Sequence, residues 1–508
     1  MKRIYVTLTL LVLAAITTPL AAQQFNELNG PCGTSGKSEW LTQFQRSGGL
    51  RTFEKSLNIQ YLPMNVVFVG DDNGAGYIDP TAFLSSMELL NSDFRDMNIQ
   101  FFISGDIKYV ANSRWNEHTF TTGRELMSAH NVARRVNTYV VTDPAGACGY
   151  YTPSRDAIAL GKNCLGRVDR TWSHEIGHYL SLPHTFYGWE SVEEIANLEP
   201  NVPAPATLFY RGVDVPVELV DGSNCEDAAD GFCDTEPDHL MQRWACNGDG
   251  FYRDSLLDPD SVRFAVPAYN IMSYANDGCV TGFTPDQQTA MLANLDSRLG
   301  LVDNSNVSLT PANVDDLVMI SPEDGARLVY QDSVTLLWNS VPNADMYVVQ
   351  FHNSSNFGGA VLNSFVTSDT SVTFLEGLVT RRNYYWRVRP VNRYQVAGDY
   401  GPIFRFRNGS RLTSTIDAEL DAAITVAPNP VNGGQELRIF GRDLNVSGTL
   451  NYELVDAAGR ILVQRNNVAV TAAGFNERLQ TNELAAGIYF LRIQLDGKLV
   501  TRRVVVTP

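Results

Sequence analysis

Three of the seven histidines of this 508-residue chain lie close together, at His174, His178 and His184. The first two are four residues apart in TWSHEIGHYLSLP, and residues four apart on an α-helix share one face with Cβ atoms about 5–6 Å apart. Pro183 ends that helix, so the chain turns and can return His184 to the same point. Three neutral imidazoles and one water form an open, catalytic type of zinc site. Glu175, between the first two histidines, is the predicted general base for that water.

The first residues of the chain have the composition of a secretory signal peptide. Lys2 and Arg3 precede an apolar stretch, and Ala21-Ala22 offers a small-residue cleavage point. A membrane anchor needs about 20 apolar residues, and Thr17-Thr18-Pro19 interrupts this run. We therefore expect residues 1–22 to be removed on export and no later segment to span a membrane. The formal net charge of −17 disfavours nucleic acid or an anionic membrane surface as a partner.

Export makes the seven cysteines interpretable as disulfides plus one free thiol. All of them precede residue 280: Cys32, Cys148, Cys164, Cys225, Cys233, Cys246 and Cys279. Cys148 and Cys164 flank a segment short enough for a disulfide-closed hairpin. Cys32 is the most isolated and is predicted to be unpaired. Because a thiolate is an excellent zinc ligand, Cys32 would fill the fourth zinc position in a latent precursor, with residues 23–57 as the propeptide. An incidental free thiol or an interchain disulfide is the alternative.

Strands and helices alternate between Pro63 and the histidine motif. MNVVFVG, NIQFFI, NTYVVT and AIAL are predicted strands. Helices are predicted from Pro80, with Asp79 as N-cap, and from Arg124. This order predicts an α/β lobe built on a mixed sheet, followed by the zinc helix. AIAL, just before that helix, is the strand we expect to pair with an extended peptide.

The regular pattern ends after His184. Residues 185–269 combine prolines, glycines, acidic residues and three cysteines, so we expect an irregular lower lobe held by disulfides. Within this lobe, NCEDAADGFCDTEPD (224–238) concentrates side-chain oxygens of the kind that bind calcium. Asp234 and Thr235 are the predicted calcium ligands, and a solvated acidic loop is the alternative.

The histidine motif together with NIMSY (270–274) is similar to the pappalysin branch of the metzincin metalloproteases, whose bacterial members are the cytophagalysins. The chain departs from the metzincin motif HExxHxxGxxH at Ser181, where the motif has glycine. A left-handed backbone there costs a serine on the order of 1 kcal/mol, which is small beside the free energy of a zinc site. The resemblance spans residues 28–300 and implies a zinc endopeptidase that hydrolyses peptide bonds in proteins.

The resemblance also implies roles for individual residues. Met272 would be the methionine of a tight turn beneath the metal, and Tyr274 a phenol that hydrogen-bonds the oxyanion. Some bacterial relatives select basic side chains through an aspartate just before the cysteine that follows this turn. Here Gly278 has that position, and Asp277, one residue earlier, is the predicted substrate-binding residue.

The cysteines fit the same resemblance. Cys32-Gly33-Thr34 matches the propeptide motif of the family. By analogy with its members, Cys225 would pair with Cys246 and Cys233 with Cys279. The sequence alone permits three pairings of these four residues.

Residues 317–408 are predicted to form an all-β sandwich. Apolar residues alternate in short strands about every ten residues, and Trp338, Tyr347 and the strand YYWRVRPVN resemble a fibronectin type III domain. Tyr384 and Trp386 share one face of that strand and are interpreted as core residues. Glycan binding by them is the minor alternative.

Residues 424–508 are predicted to form a second sandwich. Pro428-Asn429-Pro430, Gly487-Ile488-Tyr489 and the basic-then-apolar end of the chain resemble the C-terminal sorting domain of the type IX secretion system. The resemblance implies a Gram-negative source, contact with that secretion machinery, and a protein that is secreted or held at the cell surface. A plain accessory domain is the alternative.

The predicted order is thus a signal peptide (1–22), a propeptide with a cysteine switch (23–57), an α/β metzincin-like catalytic domain (58–302) and two all-β sandwiches (317–408 and 424–508). Two other functions stay open. One is a surface adhesin with an inactive metalloprotease lobe, which the complete motif disfavours. The other is a zinc peptidase of a different clan, which His184 and Met272 disfavour. Its third ligand would be a glutamate: Glu193, Glu194 or Glu199.

Overall fold

The structure is a computed structural model that describes most of the chain. The described residues are 32–56, 58–191, 201–328, 333–357, 363–374, 378–409, 418–442, 444, 448–456, 459–495 and 498–507. The predicted signal peptide (1–22), residues 23–31 of the predicted propeptide, and Glu193, Glu194 and Glu199 lie outside them. The chain forms two compact units, Met1–Val307 and Ser308–Pro508. It is a mixed α and β protein in which strands predominate. Within the described ranges, no helix has both the length and the apolar character needed to cross a bilayer.

The first unit is built on a six-stranded sheet with the order β2-β1-β5-β8-β7, in which β3 also pairs with β1. Its strands are parallel except β7, which is antiparallel to β8. β1 is buried at ten consecutive positions, as expected for a central parallel strand covered on both faces. β4 and β6 form a separate pair. The strands are β1 (Gln60–Gly70), β2 (Ile99–Ile103), β3 (Lys108–Ala111), β4 (Glu117–His118), β5 (Val136–Val141), β6 (Asp143–Pro144), β7 (Gly149–Thr152) and β8 (Ala157–Gly161).

Seven α-helices belong to the described part of this unit. They are α1 (Glu39–Arg46), α2 (Gly49–Thr52), α3 (Pro80–Asp93), α4 (Ser113–Asn116), α5 (Phe120–His130), α6 (Thr171–Tyr179) and α7 (Pro285–Ser297). All nine residues of α6, which carries the histidine motif, are buried. The helix packs on β7 and β8, and the rings of Trp172 and Phe83 of α3 lie 5.0 Å apart. The motif helix is therefore held between the sheet and another helix.

Helix α3 begins as predicted, since the Asp79 side chain accepts a hydrogen bond from Thr81 N and Pro80 occupies the first turn. Helix α5 begins earlier than predicted, at Phe120, because Thr119 and Thr122 form a capping box. Helix α7 was not predicted, although Thr284 starts a capping box of its own.

The prediction that AIAL pairs with an extended peptide is wrong. This strand, β8, lies between β5 and β7, so both of its edges already carry hydrogen bonds. The hairpin closed by the predicted Cys148–Cys164 disulfide folds β7 onto the outer side of β8. β7 (Gly149–Thr152) is therefore the edge strand on this side of the sheet, and it lies against α6.

Between α6 and α7 the described residues contain little regular structure, as the composition indicates. There are two short antiparallel pairs, β9 (Thr207–Tyr210) with β10 (Val213–Pro216) and β11 (Leu256–Leu257) with β12 (Arg263–Phe264). The two disulfides of this lobe differ from those that the resemblance implies. Instead of Cys225–Cys246 and Cys233–Cys279, the structure pairs Cys225 with Cys233 and Cys246 with Cys279.

Local turns and one backbone bridge explain these pairings. Ala229 and Gly231 have positive φ angles of 42° and 76°, and they fold the first cysteine pair back until its Cα atoms are 5.0 Å apart. A bridge between Trp244 and Ala275 lays the segment before Cys246 along the methionine turn and so brings Cys246 to Cys279. The spacing of the cysteines in the sequence predicts neither these turns nor this bridge.

The first sandwich of the second unit has a three-stranded sheet, β13-β15-β18, and a five-stranded sheet, β14-β20-β19-β16-β17. Its core includes Trp338, Trp386 and Tyr384, each at most 2% exposed, so these aromatics are core residues as predicted. The strands are β13 (Met319–Ser321), β14 (Ala326–Arg327), β15 (Val334–Trp338), β16 (Met346–His352), β17 (Asn363–Thr367), β18 (Ser371–Phe374), β19 (Asn383–Val391) and β20 (Phe404–Arg407).

The second sandwich has its own apolar core. It follows helix α8 (Ala418–Ala423) and consists of a three-stranded sheet, β21-β23-β26, and a five-stranded sheet, β22-β28-β27-β24-β25. The last strand, β28, lies between β22 and β27. The strands are β21 (Ile424–Ala427), β22 (Val431–Asn432), β23 (Glu436–Arg442), β24 (Gly448–Asp456), β25 (Ile461–Val470), β26 (Gly474–Gln480), β27 (Gly487–Leu495) and β28 (Lys498–Thr507).

Candidate metal centre

The chain bends sharply where α6 ends. Ser181 has a left-handed backbone with φ of 83°, and Leu182 N donates to Gly177 O at 2.9 Å across the turn. Asn294 Nδ2 of α7 donates to Ser181 Oγ at 2.8 Å. A serine thus takes the conformation that glycine adopts most cheaply, and a neighbouring helix holds its side chain.

This bend brings the three imidazoles together. His178 Nε2 lies 3.1 Å from His174 Nε2 and 3.1 Å from His184 Nε2. Zinc–nitrogen bonds of about 2.0–2.1 Å in a tetrahedron separate two ligand nitrogens by about 3.4 Å. The spacing of the three rings therefore fits a single zinc-sized ion.

The outer nitrogens fix the tautomer of the rings. The Nδ1 atoms of His174 and His178 lie 2.7 Å from the carbonyl oxygens of Ile271 and Leu182, respectively. A carbonyl oxygen can only accept, so each Nδ1 carries the proton and each Nε2 presents a lone pair. Burial, and next the neighbouring His184, lowers the pKa of His174 to about 3 and that of His178 below its usual range. Converging lone pairs repel one another unless a cation lies between them.

The third imidazole is held by a residue that the sequence analysis missed. His184 Nδ1 lies 3.1 Å from Glu190 Oε1, and Glu190 Oε2 accepts from Gly188 N at 2.7 Å. Carboxylates commonly orient metal-binding histidines in this way. An acidic residue shortly after the motif is the only feature of the sequence that indicates this role. Its distance from His184 does not distinguish Glu190 from the other acidic residues nearby.

Cys32 completes the group from the N-terminal segment. Its thiol and the three imidazoles form the one cluster of His, Cys, Asp and Glu ligand atoms within 4.8 Å of one another in the described residues. The cysteine is unpaired and buried. It forms a parallel bridge with Gly149 of β7, and Gly33 N donates to Gly149 O at 2.8 Å. The edge strand β7 thus holds Cys32 and the residues that follow it beside the motif helix.

Glu175 is fully buried beside this segment. Thr34 Oγ1 donates to Glu175 Oε2 at 3.0 Å and accepts from Tyr151 N at 2.7 Å. Glu175 Oε1 has no hydrogen-bond partner among the described residues. Burial is the main cause that raises the pKa of Glu175 to about 7, so the group can gain or lose a proton near neutral pH.

The methionine turn lies directly against the motif helix. Met272 is fully buried, and Met272 N donates to the Asn270 side chain at 2.8 Å. A Cβ atom on Gly177 would lie 2.4 Å from Met272 Sδ. The glycine in HEIGH is therefore the residue that lets the thioether approach the helix between the two histidines.

Tyr274 lies over the imidazoles. Its ring centroid is 5.0 Å from that of His184 and 4.6 Å from that of Phe186. Its hydroxyl donates to the carbonyl oxygen of Cys32 at 3.2 Å. Burial raises the pKa of Tyr274, so the phenol keeps its proton and acts as a hydrogen-bond donor.

Asp238, which no sequence motif indicated, joins the two halves of the centre. Its buried Oδ2 accepts from Thr185 Oγ1 and from Ser273 Oγ, each at 2.7 Å. One hydroxyl follows His184 and the other follows Met272. Asp238 therefore ties the third histidine to the methionine turn.

Asp277 lines a pocket beside the imidazoles, where the resemblance suggested a substrate-binding aspartate. Its Oδ1 accepts from Arg170 N at 2.9 Å, and its Oδ2 accepts from the guanidinium of Arg243. Both carboxylate oxygens are therefore already bound by the protein itself.

The two predicted calcium ligands point to different partners. Asp234 Oδ2 accepts from Asp286 N at 2.8 Å, at the start of α7. Thr235 Oγ1 donates towards Asp230 Oδ1 at 2.9 Å. Asp230 Oδ2 and Asp234 Oδ1 are both buried with no hydrogen-bond partner among the described residues.

Residues 425–507 match the family model of the secretion system C-terminal sorting domain. This match covers all of the second sandwich except its first residue, Ile424. The protein is therefore secreted or carried to the cell surface.

Curated relatives of the chain are extracellular metalloproteases of fungi. That of Pyricularia oryzae is 25% identical over 262 residues, which are 48% of this chain and 77% of the relative. That of Neurospora crassa is 24% identical over 51% of this chain and 86% of the relative. Among solved structures, the fibronectin(III)-like modules of Clostridium thermocellum CbhA are 12% identical, with a TM-score of 0.16, over 38% of this chain and 94% of that one. At that TM-score the likeness supports no conclusion about the chain.

Proposed function

We propose that the first unit is a secreted zinc endopeptidase made as a latent precursor. The observation that carries the proposal is the convergence of three Nε2 lone pairs next to the carboxyl group of Glu175. The donor set suits zinc, which prefers imidazole and thiolate ligands in a tetrahedron. The fungal relatives named extracellular metalloproteases support the same reaction class.

The residues of the site divide the reaction between them. Zinc bound to His174, His178 and His184 would polarise a water molecule and the substrate carbonyl. Glu175 would accept the proton of the attacking water, because its carboxyl group lies beside the three imidazoles, and would then return that proton to the departing amine. Tyr274, which here donates to Cys32 O, would donate to the oxyanion once the N-terminal segment leaves.

The N-terminal segment would keep the precursor latent in two ways. The thiol of Cys32 takes the fourth position around the imidazoles, which is where the attacking water must bind. The Thr34 hydroxyl donates a hydrogen bond to Glu175 Oε2, so this oxygen is not free to accept a proton from water. Strand β7 supplies the backbone hydrogen bonds that a substrate would also use.

Finer assignments belong to the same proposal. We infer a metzincin of the pappalysin branch within residues 58–302, a fibronectin type III-like spacer at 317–408, and sorting by the type IX machinery of a Gram-negative bacterium. Calcium near Asp234 and Thr235 is also proposed, supported by the buried, unpartnered oxygens of Asp230 and Asp234.

A casein digest with and without a chelator tests the peptidase proposal. The activated protein should contain about one zinc per chain and lose its activity with the chelator. Glu175→Ala should keep the zinc and lose nearly all hydrolysis, because the proton acceptor is gone, whereas His184→Ala should lose the metal. A zinc-loaded wild-type protein that hydrolyses no protein would instead favour the adhesin alternative.

A further inference from the structure

The pocket that contains Asp277 adjoins the metal centre. Its wall includes His174 and Tyr274 on one side, Ile271 and Val280 as apolar surface, and the arginines Arg170 and Arg243. If the proposed peptidase function holds, a substrate side chain next to the scissile bond enters this pocket. The inference below rests on that function and concerns which side chains fit.

The two arginines are held differently. Arg170 Nε donates to the buried Asp93 at 3.2 Å, and Arg170 Nη1 donates to the carbonyl oxygen of Asp277 at 3.0 Å. Arg243 has only the Asp277 carboxylate as a hydrogen-bond partner among the described residues. Its side chain is 40% exposed, whereas that of Asp277 is 17% exposed. Arg243 thus covers the carboxylate from the solvent side.

Backbone hydrogen bonds hold the main chain next to Arg243 close to Asp277. The next residue, Trp244, donates from its N to Tyr274 O at 3.2 Å and accepts from Asn276 N at 2.8 Å. These hydrogen bonds attach the segment to the strand-like stretch that leads to Asp277. Main-chain pairing therefore places Arg243 beside Asp277, where its guanidinium reaches the carboxylate.

We propose that Arg243 is a specificity-determining residue that excludes basic side chains from this pocket. Its guanidinium takes the place on Asp277 that an arginine or lysine of the substrate would need. Arg170 is paired with Asp93, and its backbone N takes the other carboxylate oxygen of Asp277. A cationic substrate side chain would therefore find no free oxygen on Asp277 and would meet the positive charge of Arg243, which disfavours its binding. The enzyme therefore cleaves next to neutral residues, and Asp277 serves to hold Arg243.

Cleavage profiling with a peptide library tests this role, using the activated, zinc-loaded protein. The wild type should disfavour arginine and lysine beside the scissile bond. Arg243→Ala should raise kcat/KM for peptides with arginine at that place roughly tenfold or more relative to alanine peptides. The double variant with Asp277→Asn should lose this gain, and Arg243→Lys should keep the exclusion. Arg253→Ala, at a mostly exposed ion pair with Asp254, is the matched control and should leave the profile unchanged.

Two results would overturn the proposal: a wild type that already prefers arginine or lysine there, or an unchanged profile in Arg243→Ala. Arg243→Gln, which keeps a hydrogen-bond donor, serves as a second variant if the alanine protein does not fold. Calorimetric titration with agmatine gives a readout that is independent of hydrolysis. Agmatine should bind Arg243→Ala but neither the wild type nor the double variant. If no protein hydrolyses any peptide, the peptidase proposal fails, while the agmatine titration still decides the role of Arg243.

Discussion

Gly177 is the residue of the motif helix against which Met272 packs. The space that a Cβ atom would need is taken by Met272 Sδ, and Met272 packs in the fully buried floor of the centre. Packed interiors tolerate little added volume. The glycine in this motif is therefore required for packing, in addition to any conformational preference.

We expect Gly177→Ala to displace Met272 and to lower both stability and zinc affinity. The cost of overpacking should be about 1–3 kcal/mol in the free energy of unfolding, measured by denaturant titration with zinc present. Gly248→Ala is the control, because nothing lies within 4 Å of its added Cβ atom. Equal stability of the two variants would contradict this account of the glycine.

His239 gives a pH dependence that can be separated from that of the metal ligands. Its ring stacks on Trp189 at 4.3 Å, and burial lowers its pKa from 6.5 to about 3. As the pH falls below about 6.5, the unfolded chain binds this proton before the folded protein does. The neutral ring therefore supports full stability above that pH, and the stability is lost progressively between about 6.5 and 3.

His239→Phe should retain the stacking without the titration. We expect the variant to lose less stability than the wild type between pH 7.5 and pH 5, because phenylalanine binds no proton. Denaturant midpoints at both pH values, with zinc present, measure the difference. Parallel losses in the two proteins would refute the argument.

Among the elements, the N-terminal segment is anchored at more points than its cysteine. Helix α1 carries Gln45, whose Nε2 donates to Asp230 O and Gly231 O at 3.1 and 2.9 Å. The ion pair between Arg51 and Glu226 is mostly exposed and contributes little. The segment is therefore held against the metal centre mainly by the buried contacts of Cys32, Thr34 and Gln45.

We expect Cys32→Ala to shorten the latent phase of the purified precursor, because the fourth position around the imidazoles becomes open to water. Thr34→Val should have a smaller effect in the same direction, since it frees Glu175 and keeps the side-chain shape. The rate of peptide hydrolysis without added protease measures both effects. Ser47→Ala, whose hydroxyl donates only within the segment at an exposed site, is the control. An unchanged lag in Cys32→Ala would exclude the proposed switch.

The sequence predicts those parts of the site that depend only on neighbouring residues. Helix periodicity and Pro183 specify the positions of the three histidines and the turn at Ser181 without knowledge of the rest of the chain. The roles of Glu190 and Asp238 could not be predicted. Their hydrogen-bond partners depend on how the irregular lobe folds, and its sequence shows no regular pattern.

For the fold, too, the local elements could be predicted but the pairing between distant segments could not. Strands β1, β2, β5 and β8 and helix α3 follow from composition and capping. The identity of the edge strand depends on non-local pairing, so β7 could not be distinguished from β8. The pairing of Cys246 with Cys279 likewise depends on the distant bridge between Trp244 and Ala275.

At the scale of the whole molecule, the second sandwich is the region that directs export. Its last strand, β28, pairs on both sides, with β22 and β27. Removal of residues 498–508 should therefore disrupt the sorting domain and keep the protein inside the cell envelope.

A carrier protein with a signal peptide provides the complementary test. Fused to residues 418–508 it should reach the medium or the cell surface, whereas the same carrier fused to residues 308–409 should not. Immunoblots of cell fractions and medium measure both outcomes. Export of the truncated protein at the normal level would show that the sorting proposal is wrong.

The disulfide between Cys246 and Cys279 encloses the methionine turn, including Met272 and Tyr274. Such bonds form in oxidising compartments and are rare in the reducing cytoplasm. Newly synthesised chains therefore lack this covalent closure until they have crossed the inner membrane. The floor of the candidate metal centre is completed only outside the cytoplasm, away from the proteins of the producing cell's own interior.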